Sequence, residues 1–427
     1  MSRRAAPKAH STAAQSAQGS PVSRPAVPEV ETLDAQRHFL YLARLQRLRE
    51  CMRKADLPVL LTLDANHIFY ATGARNMQLF GLRSPSRYLL VFASGPTVLY
   101  EYAGGEHLAR DLPTVTHIKP AIGLSFLGSG GQLADASRRF AQEIASTIRA
   151  IDPGIDTLGL DRFPFAATDA LRQQGFVLCD SDEAFIPARA IKLPIEIPYM
   201  FEAMRRVEEG VRRLEQAILP GKTETGVWGE FWFDFMQKDG QYLTTRLFQS
   251  GPHTFPYFQE TSSRKLLQTG ELLCLDTDAQ GYEGYAVDFS RSFLCGDGAP
   301  TPEQRVLYQL AQEQISTNAA LLQPGMAFRE FAERAWKCPE VYRPHQYGLL
   351  GHGLGLAGEF PNIPHFEAAV PYPLDGCIEP GMVLCLESYI GSASSGQGVK
   401  LENQYLVHET HVQCMSRYPM DSRLGSG

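Results

Sequence analysis

Two stretches of this chain read almost alike, and each stops at an acid. Gly270-Glu-Leu-Leu-Cys-Leu-Asp276 and Gly381-Met-Val-Leu-Cys-Leu-Glu387 carry Gly, Leu, Cys and Leu at matching positions. A short apolar run bounded by turn residues reads as a buried strand. Each is followed by a further strand-like segment with its own acid, Asp288 in the first case and Glu402 in the second. Each is also preceded by a pair of helical segments. The helix Tyr199 to Ile218 stops at Pro220-Gly221, and another running up to Leu322 stops at Pro324-Gly325 before a new one near Phe328, since Pro and Gly gather just past helix ends. Helices and then a hairpin, twice over, predict a unit with pseudo-two-fold symmetry in which two pairs of acids face each other.

A carboxylate at the end of an apolar strand is costly to bury unless something offsets its charge. A single such acid usually pairs with an Arg or caps a turn. Four at symmetric places do not fit that explanation, and the two-residue period of a strand puts Asp276 and Asp278 on one face. Like charges gathered this closely call for cations between them. His352, in Gly351-His-Gly-Leu-Gly-Leu, adds a nitrogen where glycines let the backbone come near. The expected ligand set is Asp276, Asp278, Asp288, His352, Glu387 and Glu402, holding two divalent metal ions. Five carboxylates and an imidazole suit Mn, Fe, Co or Zn rather than copper.

At 427 residues the chain is too long for one ordinary core. Apolar residues at helical spacing from Asp34 to Ala55 precede short strand-like runs at Val59 to Leu63, Tyr88 to Phe92, Thr97 to Tyr102 and Thr157 to Leu160. A helix over Arg138 to Ile151 and a helix–strand pair between Ala167 and Cys179 complete an α/β domain over residues 33–190. Pro194 and Pro198 mark the entry to the second domain, residues 191–427. Residues 1–32, rich in Ala, Ser, Pro and Arg, are expected to be a disordered tail, with a transit peptide as the alternative.

The net charge of −7 and a pI near 5.9 argue against nucleic-acid or anionic-membrane partners, and no apolar run is long enough to span a bilayer. The eight cysteines form no C-x-x-C pair. Cys274 and Cys385 read as small buried hydrophobes, and the chain as a cytoplasmic enzyme with reduced thiols. Glu208-Glu209 and Arg212-Arg213 read as a solvated helix face with i,i+4 pairs, Gly391 to Gly398 as a flexible hairpin loop, and His253 and His345 equally as pocket-lining or as surface and structural residues.

Asp276-x11-Asp288-Phe-Ser-Arg, Gly-His352-Gly-x-Gly, Glu387 and Glu402, in that order, resemble the pita-bread superfamily of methionine aminopeptidase, prolidase, aminopeptidase P and creatinase. The resemblance implies a creatinase-like N-terminal α/β domain, a C-terminal pita-bread catalytic domain and a homodimer. Three positions depart from the peptidases: the glycine of their Asp-x-Gly is Asp278 here, adding an acid. Tyr257 stands where Ser-Gly-x-Asn-x-x-x-His would place a histidine, and Glu359 stands where a second histidine would follow His352.

Asp276-Thr-Asp278, the short interval from Glu387 to Glu402, Tyr347-Gly before Gly-His352-Gly, and the closing Tyr418-Pro-Met-Asp-x-Arg-Leu are similar to the DddP-type dimethylsulfoniopropionate lyases. That resemblance implies a dinuclear centre, with iron favoured, acting on a small carboxylate. It implies β-elimination to dimethyl sulfide and acrylate, with Tyr347 facing the sulfonium. The lyase pattern has an aspartate where this chain has Gly358, so Glu359 becomes the expected base, and Phe80 is the candidate for an aromatic wall. An Xaa-Pro aminopeptidase or dipeptidase and a metal-binding pseudoenzyme are the alternatives.

Overall fold

The computed structural model describes residues 28–81, 83–367 and 375–425. Most of the expected tail lies outside the described residues, but its end is corrected. A helix, Val30–Lys54, already begins at Val30, because Leu33 is buried and its carbonyl accepts a hydrogen bond from Tyr199 at 2.7 Å. Leu40, Leu48 and Met52 continue that buried stripe.

The first half builds a six-stranded sheet from β1 (Val59–Thr62), β2 (Tyr88–Phe92), β3 (Thr97–Glu101), β4 (His117–Pro120), β5 (Thr157–Leu160) and β6 (Val177–Asp180), in the order β4-β3-β2-β1-β5-β6. β2 runs antiparallel to β1 and β3, and the remaining pairs are parallel. The central strands are apolar throughout because both faces are covered. Val59 and Leu61 join a cluster with Phe140 and Ile144 of the helix Leu133–Ile151. Leu60 points the other way, into the cluster that holds Leu40 and Leu48.

That second cluster does not stop at the end of the sheet. It runs through Phe185 of the helix Asp182–Ala190 and Tyr199 and Met204 of the helix Ile197–Gln216, and on to Val287 and Tyr418. Arg44, fully buried, ties the halves together. Its Nε donates to Glu196 at 3.2 Å, which also accepts from Tyr285 at 2.8 Å.

The second half contains β7 (Tyr242–Leu243), β8 (Leu247–Ser250), β9 (Leu272–Asp276), β10 (Ala279–Gln280), β11 (Ala286–Val287) and β12 (Ser290–Leu294). After the helix Pro302–Leu321 come β13 (Leu349–Leu354), β14 (Gly358–Pro364), β15 (Val383–Ser392), β16 (Gln397–Val407) and β17 (Val412–Cys414). The repeated sequence runs become equivalent strands. β9 is the middle of the sheet β12-β9-β8, and β15 is the middle of β14-β13-β15-β16-β17. A central strand is buried on both sides, which is why both runs are Leu- and Cys-rich.

Two local expectations are corrected. The stretch from Gly391 to Gly398 is half strand: β15 and β16 pair as far as Ser392 and Gln397, leaving only a four-residue turn, 393–396. The glycines are there because a Cβ on Gly398 would lie 2.3 Å from the Tyr389 hydroxyl. Glu208 is buried, not solvated, and accepts from the backbone N–H groups of Arg417 and Tyr418. The surface pairs are not the expected ones: Glu209 pairs with Arg205 and Lys238, and Arg213 with Glu230. No described helix is long and apolar enough to cross a membrane. All eight cysteines are free, with Cys274 and Cys385 buried.

Candidate metal centre

Backbone pairing brings the acids together. Asp276 closes β9 opposite Ser290 of β12, and Glu387 of β15 lies directly across from Glu402 of β16. His352 enters from β13, opposite Cys385. Its Nε2 is 3.3 Å from Glu387, 3.7 Å from Glu402 and 3.8 Å from Asp288. Asp276, Asp278 and Asp288 form one group able to hold a metal ion. Asp288, His352 and Glu402, with Cys385 beside them, form a second that shares Asp288.

Asp278 arrives by a different route from the one its spacing predicts. The strand stops at Asp276, and Asp278 has a φ of +39°, a left-handed conformation that Asp tolerates better than most residues. Thr244 N–H donates to its carbonyl at 2.9 Å and the Thr245 hydroxyl to its carboxylate. A turn, not alternation, aims this side chain at the cluster.

The charges are balanced by a residue that sequence reasoning missed. Lys400 Nζ is fully buried, 2.6 Å from Glu387, 2.8 Å from Glu402, 3.3 Å from Asp276 and 2.7 Å from the Ser290 hydroxyl. It stands two residues before Glu402 on β16, so the strand period that places one places the other. Burial pushes the Asp276 carboxyl up, but Lys400 and the Tyr257 and Ser290 hydroxyls more than offset this and hold it below the ordinary range. Burial and the neighbouring carboxylates push Asp278 up to about 7 and Asp288 and Glu402 above their usual values.

Asp288 Oδ1 and Glu402 Oε1 are buried acceptors with no hydrogen-bond partner. Buried oxygens are seldom left so, and a cation would satisfy both. Burial pushes the Cys385 thiol up, and its Sγ donates to the Asp288 carbonyl at 3.6 Å.

The cluster forms the floor of a cavity of about 950 Å³, which Tyr347, Phe258, Gly358, Glu359 and Phe360 also line. Tyr257, Phe258 and Tyr347 make an aromatic corner, with ring centroids 4.4 to 6.0 Å apart. Phe258 is 61% exposed and has a φ of +70°, a costly conformation for a bulky residue and one that gathers at functional sites. No sequence pattern announced it. Phe80, the expected aromatic wall, instead packs 6.1 Å from Tyr102, and Leu79 and Arg83 reach the cavity in its place. His253 faces Glu224 and His345 packs on Phe255, and neither lines the cavity.

Glu359 is already occupied. Its carboxylate accepts from Lys192 at 2.7 Å, from Arg189 at 3.0 Å and from the Leu356 N–H at 2.9 Å. Burial raises its carboxyl, and Lys192 and Arg189 outweigh that and leave it below the ordinary range. A carboxylate so held is a weak base, contrary to the role expected of it from sequence.

Residues 198–409 match the metallopeptidase family M24. A protein of Roseovarius nubinhibens named dimethylsulfoniopropionate lyase DddP is 35% identical over 89% of this chain and 86% of its own length. A Roseobacter denitrificans protein of the same name is 32% identical over 93% and 89%. The chain belongs to the M24 pita-bread family. Among solved structures, the Xaa-Pro dipeptidase from Bacillus anthracis superposes with a TM-score of 0.72 at 19% identity, over 89% of this chain and 99% of that one.

M24 membership makes this a metal-dependent enzyme, and the two-domain layout is the one it shares with the dipeptidase structure. Within the family its departures from the peptidase pattern are structural as well as textual. Tyr257, in the place of a histidine, gives its hydroxyl to Asp276, and Glu359, in the place of another, turns to Lys192 and Arg189.

Proposed function

We propose that this protein is a metal-dependent carbon–sulfur lyase that breaks the C–S bond of a small β-sulfonio carboxylate, the α-proton passing to solvent, the sulfonium leaving as a neutral sulfide and the unsaturated acid remaining, with dimethylsulfoniopropionate the substrate to test first. The observation that carries this reading is the aromatic corner set against an acid cluster. Tyr347 and Phe258 line the wall of the same cavity whose floor holds the proposed ligands, and aromatic rings there suit a cationic group. The near full-length similarity to two DddP lyases supports it.

In this reading Asp276, Asp278 and Asp288 hold one divalent ion, and Asp288, His352, Glu387 and Glu402 hold the other, with iron the expected metal. Bound there, such ions supply Lewis-acid stabilisation of the negative charge that develops on the substrate carboxylate. Lys400 and Ser290 fix the carboxylates of Asp276, Glu387 and Glu402 in place. Thr245 and Tyr257 orient Asp278 and Asp276. Glu359 anchors the β13–β14 connection to Lys192 and Arg189, and the Tyr347 ring positions the sulfonium away from the acids.

The peptidase reading draws support from the family, but Tyr257 and Glu359 replace both histidines of its pattern. A different observation favours a second reading, binding without turnover. Gly358 has no side chain to accept a proton and Glu359 is held by two cations.

Headspace dimethyl sulfide from purified, metal-loaded protein tests the proposal, with His352→Ala as control. Dimethyl sulfide that vanishes in the control upholds the lyase. Its absence, with binding retained in calorimetry, moves the assignment to the binding-only reading, and release of proline from Xaa-Pro peptides moves it to the peptidases.

A further inference from the structure

The glycines around His352 are not alike. A Cβ on Gly351 would lie 2.3 Å from the Cys385 carbonyl oxygen, and on Gly353 2.3 Å from that of Phe360. On Gly355 it would strike the Glu359 carboxylate at 2.4 Å. Real side chains do not approach backbone this closely, and the Glu359 carboxylate is fixed by Lys192 and Arg189, so the fold requires those three. Gly358 is different. A Cβ there would meet nothing within 4 Å, and its φ is outside the left-handed region. Neither crowding nor backbone conformation asks for glycine, which elsewhere in a strand costs stability.

The direction of the missing side chain is set by β14. Burial alternates along it, with Gly358, Phe360 and Asn362 exposed and Glu359, Pro361 and Ile363 buried. The three exposed residues all line the cavity above the acid cluster, and Asn362 pairs with His352 across the sheet. A side chain at 358 would therefore project into the cavity beside them. Cavities of about 300–1,000 Å³ take drug-sized ligands. At about 950 Å³ this one has room beyond what a short propionate fills.

We infer that Gly358 is a specificity-determining position, whose missing side chain leaves space for a substrate substituent bulkier than dimethylsulfonium. The inference rests on the lyase reading for the substrate class, a propionate with a sulfonium at its β-carbon, and on the structure alone for the open wall. A group in the gap would share the cavity with Phe360, Phe258 and Tyr347, with larger alkyl arms on sulfur gaining apolar contact there.

The test compares dimethylsulfoniopropionate with its diethylsulfonio homologue, each titrated calorimetrically into metal-loaded protein. The wild type is expected to bind the diethyl acid at least as tightly. Gly358→Val is expected to lower the diethyl-to-dimethyl affinity ratio by about 10-fold or more, the scale of a misfitted methylene. An unchanged ratio overturns the proposal. A second arm needs no substrate: Gly358→Cys, shown folded by circular dichroism, is treated with a methanethiosulfonate reagent. One label per chain above the wild-type background is expected, and an unreactive thiol at that position overturns the open wall whatever binds. If neither acid binds the wild type, the lyase reading falls and the substrate class named here falls with it, while the labelling still decides whether the wall is open.

Discussion

The Lys192 ammonium lies 2.7 Å from the Glu359 carboxylate, with both side chains almost wholly buried. The pair joins the segment between the two halves of the chain to the strand that walls the cavity. Removing one member of a buried ion pair strands the other, at a cost of about 3–5 kcal/mol. Glu359→Gln leaves two cations, Lys192 and Arg189, without their acceptor. It should lower the urea midpoint sharply in metal-loaded protein, and Lys192→Met should do less harm because Arg189 remains. Equal stability of Glu359→Gln and wild type would overturn the anchoring role.

The same pair makes a prediction in acid. The Glu359 carboxyl is held below its ordinary value of 4.5 in the folded protein, so its contribution is complete above that value and is lost as pH falls through the folded one. The stability gap between wild type and Glu359→Gln should therefore be constant at neutral pH and close as pH falls below about 4.5. Denaturant midpoints across that range measure it.

The metal-free cluster should behave in the opposite sense. Asp278 titrates at about 7, and Asp288 is pushed well above 3.8 by burial and by its acidic neighbours. Groups raised in the folded state favour it below their unfolded values and cease to as pH rises through the folded ones. Chelated protein should thus melt lower at about pH 8 than at about pH 5.5. Added Mn²⁺ should reverse the order, since its binding displaces those protons. Scanning calorimetry with and without chelator reads both effects.

Lys400 competes with cations for the same oxygens. Lys400→Met removes the ammonium from Glu387, Glu402 and Asp276, leaving the carboxylates with no positive partner but His352 and any bound metal. The variant is expected to depend on metal for folding more than the wild type does. Its melting temperature should fall further on chelation, and no such difference would contradict the counter-ion role.

Phe258→Ala and Tyr347→Ala should weaken binding of dimethylsulfoniopropionate by roughly 2–30-fold each, from cation–π contacts of about 0.5–2 kcal/mol. Binding of the neutral carbon isostere, titrated in parallel, should change less. Equal losses for both ligands would reduce the rings to apolar walls.

That Asp276, Asp288, Glu387 and Glu402 come together was legible in sequence because matching strands carry them. Asp276 and Glu387 close matching apolar runs, and their strands are central in their sheets. Other features were not legible, for physical reasons. Asp278 reaches the cluster through a left-handed turn that no period encodes. Lys400 looks in sequence like a surface lysine on an alternating strand, and only the buried face of β16 gives it three carboxylates. Glu359 sits at the spacing of a catalytic residue, yet its partners Lys192 and Arg189 lie well over a hundred residues earlier in the chain. Phe258 takes its place from a backbone angle. Contacts set by long-range packing escape patterns read along the chain.

Glu387 and Glu402 face each other across β15 and β16, and the short turn 393–396 closes that ladder ten residue pairs long. The turn touches nothing in the acid cluster, yet it works as a ruler. One residue inserted there would slide the two strands past each other, and a one-residue slip turns alternate side chains to the opposite face of a sheet. The hairpin could still form, with its hydrogen bonds intact and the acid of the slipped strand turned the wrong way. The length of this remote turn is therefore as much a part of the centre as the residues that line it.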